Sequence, residues 1–401
     1  ATGAFEPPTW VGLRVDRDKI YANWDAVPGA MAYNVYRSVT PGGPYEVVGN
    51  VTTSKFADNK GLEAGKTYYY VLTALNDQFE ETEKSAEKAE KFGISATERK
   101  AADTTQQNIK LEEIKLTLLF ELTDAGSLGP MNQPADVVVN SKGDIYVNDV
   151  LNFRVNVYNH DGNYKFSFGR QTPPADKANP PQGSFSLPLS MTIDKQDKVY
   201  VGDVDQNDIQ IFTADGKFLK RITVAVKEDM KPFRPNGLFV AESGQILTTD
   251  GANHRFLVLD PDGKVIRSVG SGGEGPGNFL FVDGILMTPD SIICVVDVMN
   301  CRVQEFDFQG KFIRSFGEAG QTVGTFARPK GLAVDAQKRI WVSDGMGNSV
   351  QVFTLDGQVK AAFTDPVKDK AMAGPRGMLI EDGRFYLVNR LLNAVWVFKI
   401  G

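Results

Sequence analysis

The feature that most constrains this chain is repetition. From about residue 113 the sequence returns to one pattern. "GDIYVNDVLNFRVNVYNHDGNYKFSFG" is followed by "DKVYVGDVDQNDIQIFTADGKFLKRI", and later by "DSIICVVDVMNCRVQEFDFQGKFIRSFG" and "KRIWVSDGMGNSVQVFTLDGQVKAAF". An acid anchors each unit at Asp149, Asp203, Asp250, Asp297 and Asp344, with Asn389 in the sixth place. Three of the intervals between these acids are 47 residues, and the first is 54 because of an insertion around "TPPADKANPPQG". A period in the forties with several short strands per unit predicts propeller blades, in which stacked neighbours bury faces that no unit could bury alone. Each unit turns on D-G or Q-G (Asp161-Gly162, Asp215-Gly216, Asp262-Gly263, Gln309-Gly310, Asp356-Gly357), a good hairpin pair. Five units continue past that turn into a fourth strand, whereas the last ends with "NAVWVFKIG". The missing strand is expected from "IKLTLLFEL" (Ile114 to Leu122). An unclosed ring would leave two sheet edges and exposed apolar faces.

A chain of 401 residues exceeds one ordinary core, and the repeat leaves about the first hundred residues for a second domain. Residues 7–97 carry short β-rich runs at sandwich spacing. "KIYANWDAV" puts Trp24 on an early strand; "AYNVYRS" alternates Tyr33, Val35 and Arg37 against Asn34, Tyr36 and Ser38. "GLEAGKTYYYVLTAL" supplies Leu62, Gly65 and Tyr68, then Tyr70, Leu72 and Ala74 at period two. Phe79 to Lys91 is a mixed-charge run, read as a solvated loop and edge strand. The expected fold class is therefore all-β: a sandwich over 1–98, a linker over 99–112, and a six-bladed propeller over 113–401.

Two family resemblances attach to these residues. The Trp24 strand, together with Tyr68 after an L-x-x-G turn, resembles a fibronectin type III domain, in which the tyrosine hydroxyl ties a strand corner to the backbone. The repeat, with lead-ins such as "RPKGLAVD" and a strand ending in Asp followed by Asn and Arg, resembles the NHL repeat. That resemblance implies protein binding, and in some members RNA binding. The net charge of −6 with interspersed signs and no basic stripe argues against a nucleic-acid partner. No run of 18 apolar residues exists to span a membrane.

The chemistry narrows to the face formed by the turns between the second and third strands. The first strands of the blades ("VVVN", "MTID", "LFVA", "ILMT", "LAVD", "MLIE") have apolar middles and are expected to line a narrow channel. The anchor acids fit hydrogen bonding to their own turns better than gathering a cation. Arg154, Arg255 and Arg302 follow five residues after an Asp. Asp208, Ser349 and Ala394 replace them elsewhere, so that side of the face is expected to carry less positive charge. A protein-binding face is read at Arg154, His254, Arg255, Arg302, Arg328 and Arg376, beside Phe185, Phe233, Phe279 and Phe326. Each Phe taken singly reads as a plug between blades.

The enzyme-like signal is "RPNGLFV" and "FVDGILM", which put Asn236 and Asp283 in equivalent places at the channel mouth. This resembles the gluconolactonase and regucalcin family, whose propellers bind a divalent metal through Glu, Asn and Asp. The other equivalent positions are Ala135, Leu189, Lys330 and Arg376, with Asp136 the nearest substitute carboxylate. Lys330 and Arg376 would repel a cation. Two distant histidines, His160 and His254, make no metal pair. Cys294 and Cys301 are expected as free thiols, because hairpin register puts Cys294 opposite a residue near 305. With no C-x-x-C-H the chain holds no c-type haem.

The function expected is a non-enzymatic binding or scaffold protein without a cofactor. The alternative is a hydrolase using one divalent cation such as calcium. The first residue, Ala1, is consistent with a removed secretory signal, so a secreted protein is expected. Fibronectin type III modules in secreted bacterial proteins suggest a partner on a cell surface or filament, such as an extracellular cytochrome.

Overall fold

The computed structural model describes residues 5–16, 19–78, 80–92, 111–368 and 370–401. It divides into two units, Ala1–Lys110 and Leu111–Gly401. Most of the expected linker, residues 99–110, lies outside the described residues, as does Phe79 of the charged run.

The first unit contains two antiparallel sheets. One orders Trp10–Asp16, Lys19–Trp24 and Lys55–Asp58; the other orders Glu46–Val51, Ala32–Ser38, Lys66–Leu75 and Lys88–Phe92. The alternation explains why both bury one face. Ile20, Ala22 and Trp24 from one sheet share a core with Tyr33, Val35, Tyr70, Leu72 and Ala74 from the other. Trp24 meets Tyr33 edge-on at 5.3 Å. The Tyr68 hydroxyl accepts from the Glu63 N–H at 2.7 Å and reaches the Gly61 carbonyl at 3.3 Å, so it pins the loop before its own strand.

The second unit is a six-bladed propeller of four-stranded antiparallel blades. Strands a to d of blade 1 are Pro134–Val139, Ile145–Asp149, Arg154–Tyr158 and Tyr164–Phe168. Blade 6 takes strands a to c from Pro375–Glu381, Arg384–Asn389 and Ala394–Ile400, and its d strand from Leu116–Leu122. Register runs from Val395↔Leu122 to Ile400↔Leu116, so the ring closes by hydrogen bonding the first strand of the unit to the last. Trp396 and Phe398 lie in the core this pairing completes, with Leu116 and Leu118 packed against it.

Between blades the recurring phenylalanines act as plugs. Phe185, Phe233, Phe279 and Phe326 are all essentially fully buried, so they form no exposed aromatic face. Phe279 sits 5.8 Å from Phe306, and Phe326 5.5 Å from Phe353. Gly270 shows what this packing demands: at φ +103°, a Cβ there would lie 2.5 Å from the Phe279 ring. Cys294 pairs in register with Glu305, and both cysteines are buried thiols outside any disulfide.

Candidate functional site

Strand register assembles the channel mouth. In every blade the residue opening strand a faces the anchor at the end of strand b: Pro134↔Asp149, Pro188↔Asp203, Pro235↔Asp250, Val282↔Asp297, Pro329↔Asp344 and Pro375↔Asn389. The next residues along, Ala135, Leu189, Asn236, Asp283, Lys330 and Arg376, all line one axial cavity of about 270 Å³. Below them its wall is apolar, with Val137, Met191, Leu238, Ile285, Leu332 and Met378. The glycine after several mouth residues lets these strands approach. A Cβ on Gly331 would fall 2.0 Å from the Arg376 carbonyl oxygen. The glycines of P-N-G and D-G are thus accounted for by packing.

The anchor acids do more than brace their own turns. Asp297 Oδ1 accepts from the Leu280 N–H at 2.8 Å, pinning the lead-in loop of its blade. Its Oδ2 accepts from Asn300, Arg302 and Gln304 at 2.8, 2.8 and 3.1 Å. Asp149 and Asp250 repeat this arrangement with Arg154 and Arg255 at 2.9 and 3.0 Å. The three arginines are therefore largely withdrawn from solvent and committed to internal ion pairs. As a binding face they are corrected: their guanidiniums hold the turn together.

His254 is corrected in the same way. The residue four after each anchor adopts a left-handed conformation: Phe153, Asn207, His254, Cys301, Asn348 and Asn393. Most of these reach the next blade. His254 Nδ1 accepts from the Phe281 N–H at 3.0 Å, Asn348 from Gly374 at 2.9 Å, and Asn393 from Gln133 at 2.7 Å. Asn207 donates to the Phe233 carbonyl at 2.7 Å. Cys301 Sγ lies 3.5 Å from the Ala327 carbonyl. Sequence reading missed these ties. Their signal was the recurrence of Asn at one place in three units, a residue that tolerates positive φ.

The proposed metal residues come to one cavity but are already engaged. Asp283 Oδ1 pairs with Arg376 at 3.0 Å and Oδ2 with Lys330 at 3.2 Å. Asp136 Oδ1 accepts from the Val137 N–H at 3.0 Å and Oδ2 from the Met191 N–H at 2.9 Å. Burial pushes the Asp136 carboxyl up to about 7 against those two hydrogen bonds. Asn236 Oδ1 alone is buried without a protein partner. Calcium takes six to eight oxygens at about 2.3–2.6 Å, and a carboxylate held by two cations is a poor ligand. The residues present do not fit such an ion. Among the described residues, no group of three or more His, Cys, Asp or Glu is arranged to hold a metal.

Positive charge instead gathers where the sequence suggested a deficit. Arg328, Lys330, Arg376 and Arg390 line a second cavity of about 280 Å³ between blades 5 and 6, which shares Lys330 and Arg376 with the lining of the mouth. The reading from Ser349 and Ala394 concerned the start of strand c, whereas these cations stand on the start of strand a and in the last turn. Arg390 and its neighbour Leu391 escaped notice because they fall in a turn whose anchor is Asn instead of Asp.

Comparison with known proteins agrees with this architecture. Residues 236–308 match the DUF5128 family, described as a 6-bladed beta-propeller. Protein brain tumor of Drosophila melanogaster is 24% identical over 142 residues, a match spanning 35% of this chain and only 13% of that protein. A gluconolactonase from Xanthomonas campestris is similar in structure, with TM-score 0.54 at 16% identity, covering 74% of this chain and 92% of the other. A Bacteroides thetaiotaomicron protein of unknown function gives 0.52 at 14% identity over 99% of both chains. At these identities the structural likeness is one of fold. No helix among the described residues is long and apolar enough to cross a membrane.

Proposed function

We propose that this chain is a secreted, non-enzymatic binding and scaffold protein. Its first unit is a fibronectin type III module, and its propeller engages a protein partner at the channel-mouth face. The observation that carries the reading is the cluster at the mouth: Asp283 is held between Arg376 and Lys330, with Arg328 and Arg390 on the neighbouring cavity wall. A site in which Asp283 is held by two cations and Asp136 by two backbone N–H groups offers recognition by charge and hydrogen bonding rather than metal-assisted hydrolysis. The likeness to protein brain tumor, through an NHL-like segment, supports an interaction role. The paired sheets, Trp24 in their shared core and the Tyr68 tie support the fibronectin type III assignment. A surface or filament protein, such as an extracellular cytochrome, is the partner class this reading favours.

The competing reading, a metal-dependent hydrolase, draws on the fold likeness to a gluconolactonase and on the unpartnered Asn236 Oδ1. Metal analysis of the isolated protein with calcium and zinc titration, beside a lactone and ester turnover screen, separates the two. The binding role predicts no stoichiometric ion and no turnover. One bound ion lost in Asn236→Ala, with lactone hydrolysis lost alongside it, would replace the scaffold reading. Detection of the chain in the extracellular fraction of its source cells tests secretion.

A further inference from the structure

Below the mouth, the axial channel takes no part in the ion pairs or the turn ties. Its wall is built in layers two residues apart along the first strands of the blades. The layer under the mouth is Val137, Met191, Leu238, Ile285, Leu332 and Met378, each no more than 9% exposed. Val334 and Ile380 continue it downward and are only partly buried, so they border the open space. Thr192 and Glu381 are the polar side chains in this lower lining. From Lys330 to Val334 the strand advances about 13 Å, at roughly 3.3 Å per residue. The wall is close-set because neighbouring first strands meet through glycine. A Cβ on Gly237 would fall 2.3 Å from the Asp283 carbonyl oxygen, and one on Gly284 2.5 Å from that of Lys330.

A cavity of about 270 Å³ that runs this far is slender, and it falls below the usual range for a drug-sized ligand. The six side chains of the upper layer give water no partner, and an apolar cavity of this kind takes an apolar guest. Met191 and Met378 are unbranched and pliable, so the layer can close on a chain lying along the axis. At the mouth, charge is met inside the protein. Lys330 and Arg376 both pair with Asp283, and two backbone N–H groups hold Asp136. An ionised head would be desolvated there without an opposite charge of its own. Asn236 differs from these residues. It lines the same cavity and is 6% exposed, and its Oδ1 has no partner. A primary amide or an alcohol both donates and accepts, so it meets this side chain in either orientation of the Asn236 amide.

We propose that the axial channel binds an unbranched aliphatic chain carrying a small neutral head, a primary amide or an alcohol. The chain lies along the axis against Leu238, Ile285, Leu332 and Met378, and the head hydrogen-bonds to Asn236. Such a ligand goes beyond partner binding at the mouth face and does not depend on it.

The test is calorimetric titration of the whole chain with hexanamide, octanamide, octanoate and octylamine. Octanamide is expected to bind at one site per chain, about tenfold more tightly than hexanamide, since each buried methylene adds about three- to fourfold. Octanoate and octylamine should bind about tenfold more weakly than octanamide. Val334→Phe narrows the channel and should weaken octanamide about tenfold with the melting temperature held. Asn236→Ala should weaken octanamide about fivefold while preserving its ratio to hexanamide, because only the head contact is lost. No binding of octanamide, or equal affinity for the two amides, would overturn the proposal. So would tighter binding of octanoate or octylamine, several sites per chain, or unchanged affinity in Val334→Phe. Should Val334→Phe lower the melting temperature, the ratio between the two amides in the parent chain decides by itself.

Discussion

Blades 4 and 6 occupy equivalent places in one ring and use them in opposite ways. In blade 4, Asp297 accepts from the lead-in backbone and from three side chains of its own turn, Arg302 among them. Its charges neutralise each other inside the fold. In blade 6 the anchor is a neutral Asn389 whose side-chain amide has no hydrogen-bond partner, Ala394 replaces the arginine, and Arg390 stands against a cavity lined by three other cations. Departure from the repeat thus removes an ion pair that the other turn carries and places an arginine at a different point of the turn. Places where a repeat protein breaks its own rule are better candidates for function than places where it keeps it.

The largest effect should come from breaking what makes blade 6 a blade at all. Deleting residues 111–122 removes its d strand and exposes the Trp396 and Phe398 core, so cooperative unfolding of the propeller should be lost by calorimetry. Next comes the anchor itself. Asp297→Ala leaves Arg302 and a backbone N–H without their acceptor and should cost about 3–5 kcal/mol, whereas Asn389→Ala should cost under about 1 kcal/mol. Chemical denaturation of both variants checks this, and equal losses would end the contrast between the blades.

A pH-dependent difference is expected within blade 4. Glu305 is fully buried opposite Cys294, and burial, against the partial help of Arg314 at 3.4 Å, pushes its carboxyl up to about 7. The folded state then holds the proton more tightly than the unfolded chain, whose glutamates titrate near about 4.3. Stability from this group is full below the unfolded value and declines as pH rises from there toward 7. Melting temperatures of Glu305→Gln across pH 5 to 8 should fall less than those of the parent. The smallest effect concerns the left-handed turn position. Cys301→Asn puts there the residue that blades 2, 5 and 6 use, and should change stability by about 1 kcal/mol or less, with stabilisation favoured.

Much of the propeller was legible because its determinants are local or periodic. Hairpin turns at fixed offsets and anchors at a constant interval identify the blades, and the unfinished sixth unit points to Leu116–Leu122. The register of Cys294 against a residue near 305 followed from the hairpin alone, and Glu305 is its partner. The site was less legible. Arg154, Arg255 and Arg302 looked like surface cations because a sequence shows a charge without its counter-ion, five residues away though it was. Phe279 and Phe326, each read singly as a plug, are plugs, and whether they also formed an aromatic face depended on what stands across the blade interface.

By itself the sequence determined the period, the number of blades and the strand that closes them, since each follows from spacing along the chain. Which charges remain for function was decided only by the tertiary structure. Asp283 meets Arg376 across 93 residues of sequence. Arg390 shares a cavity with Arg328 and Lys330 only because adjacent blades bring their turns together. Electrostatic character at such a site is a property of distances and burial, and closing the ring is what sets both.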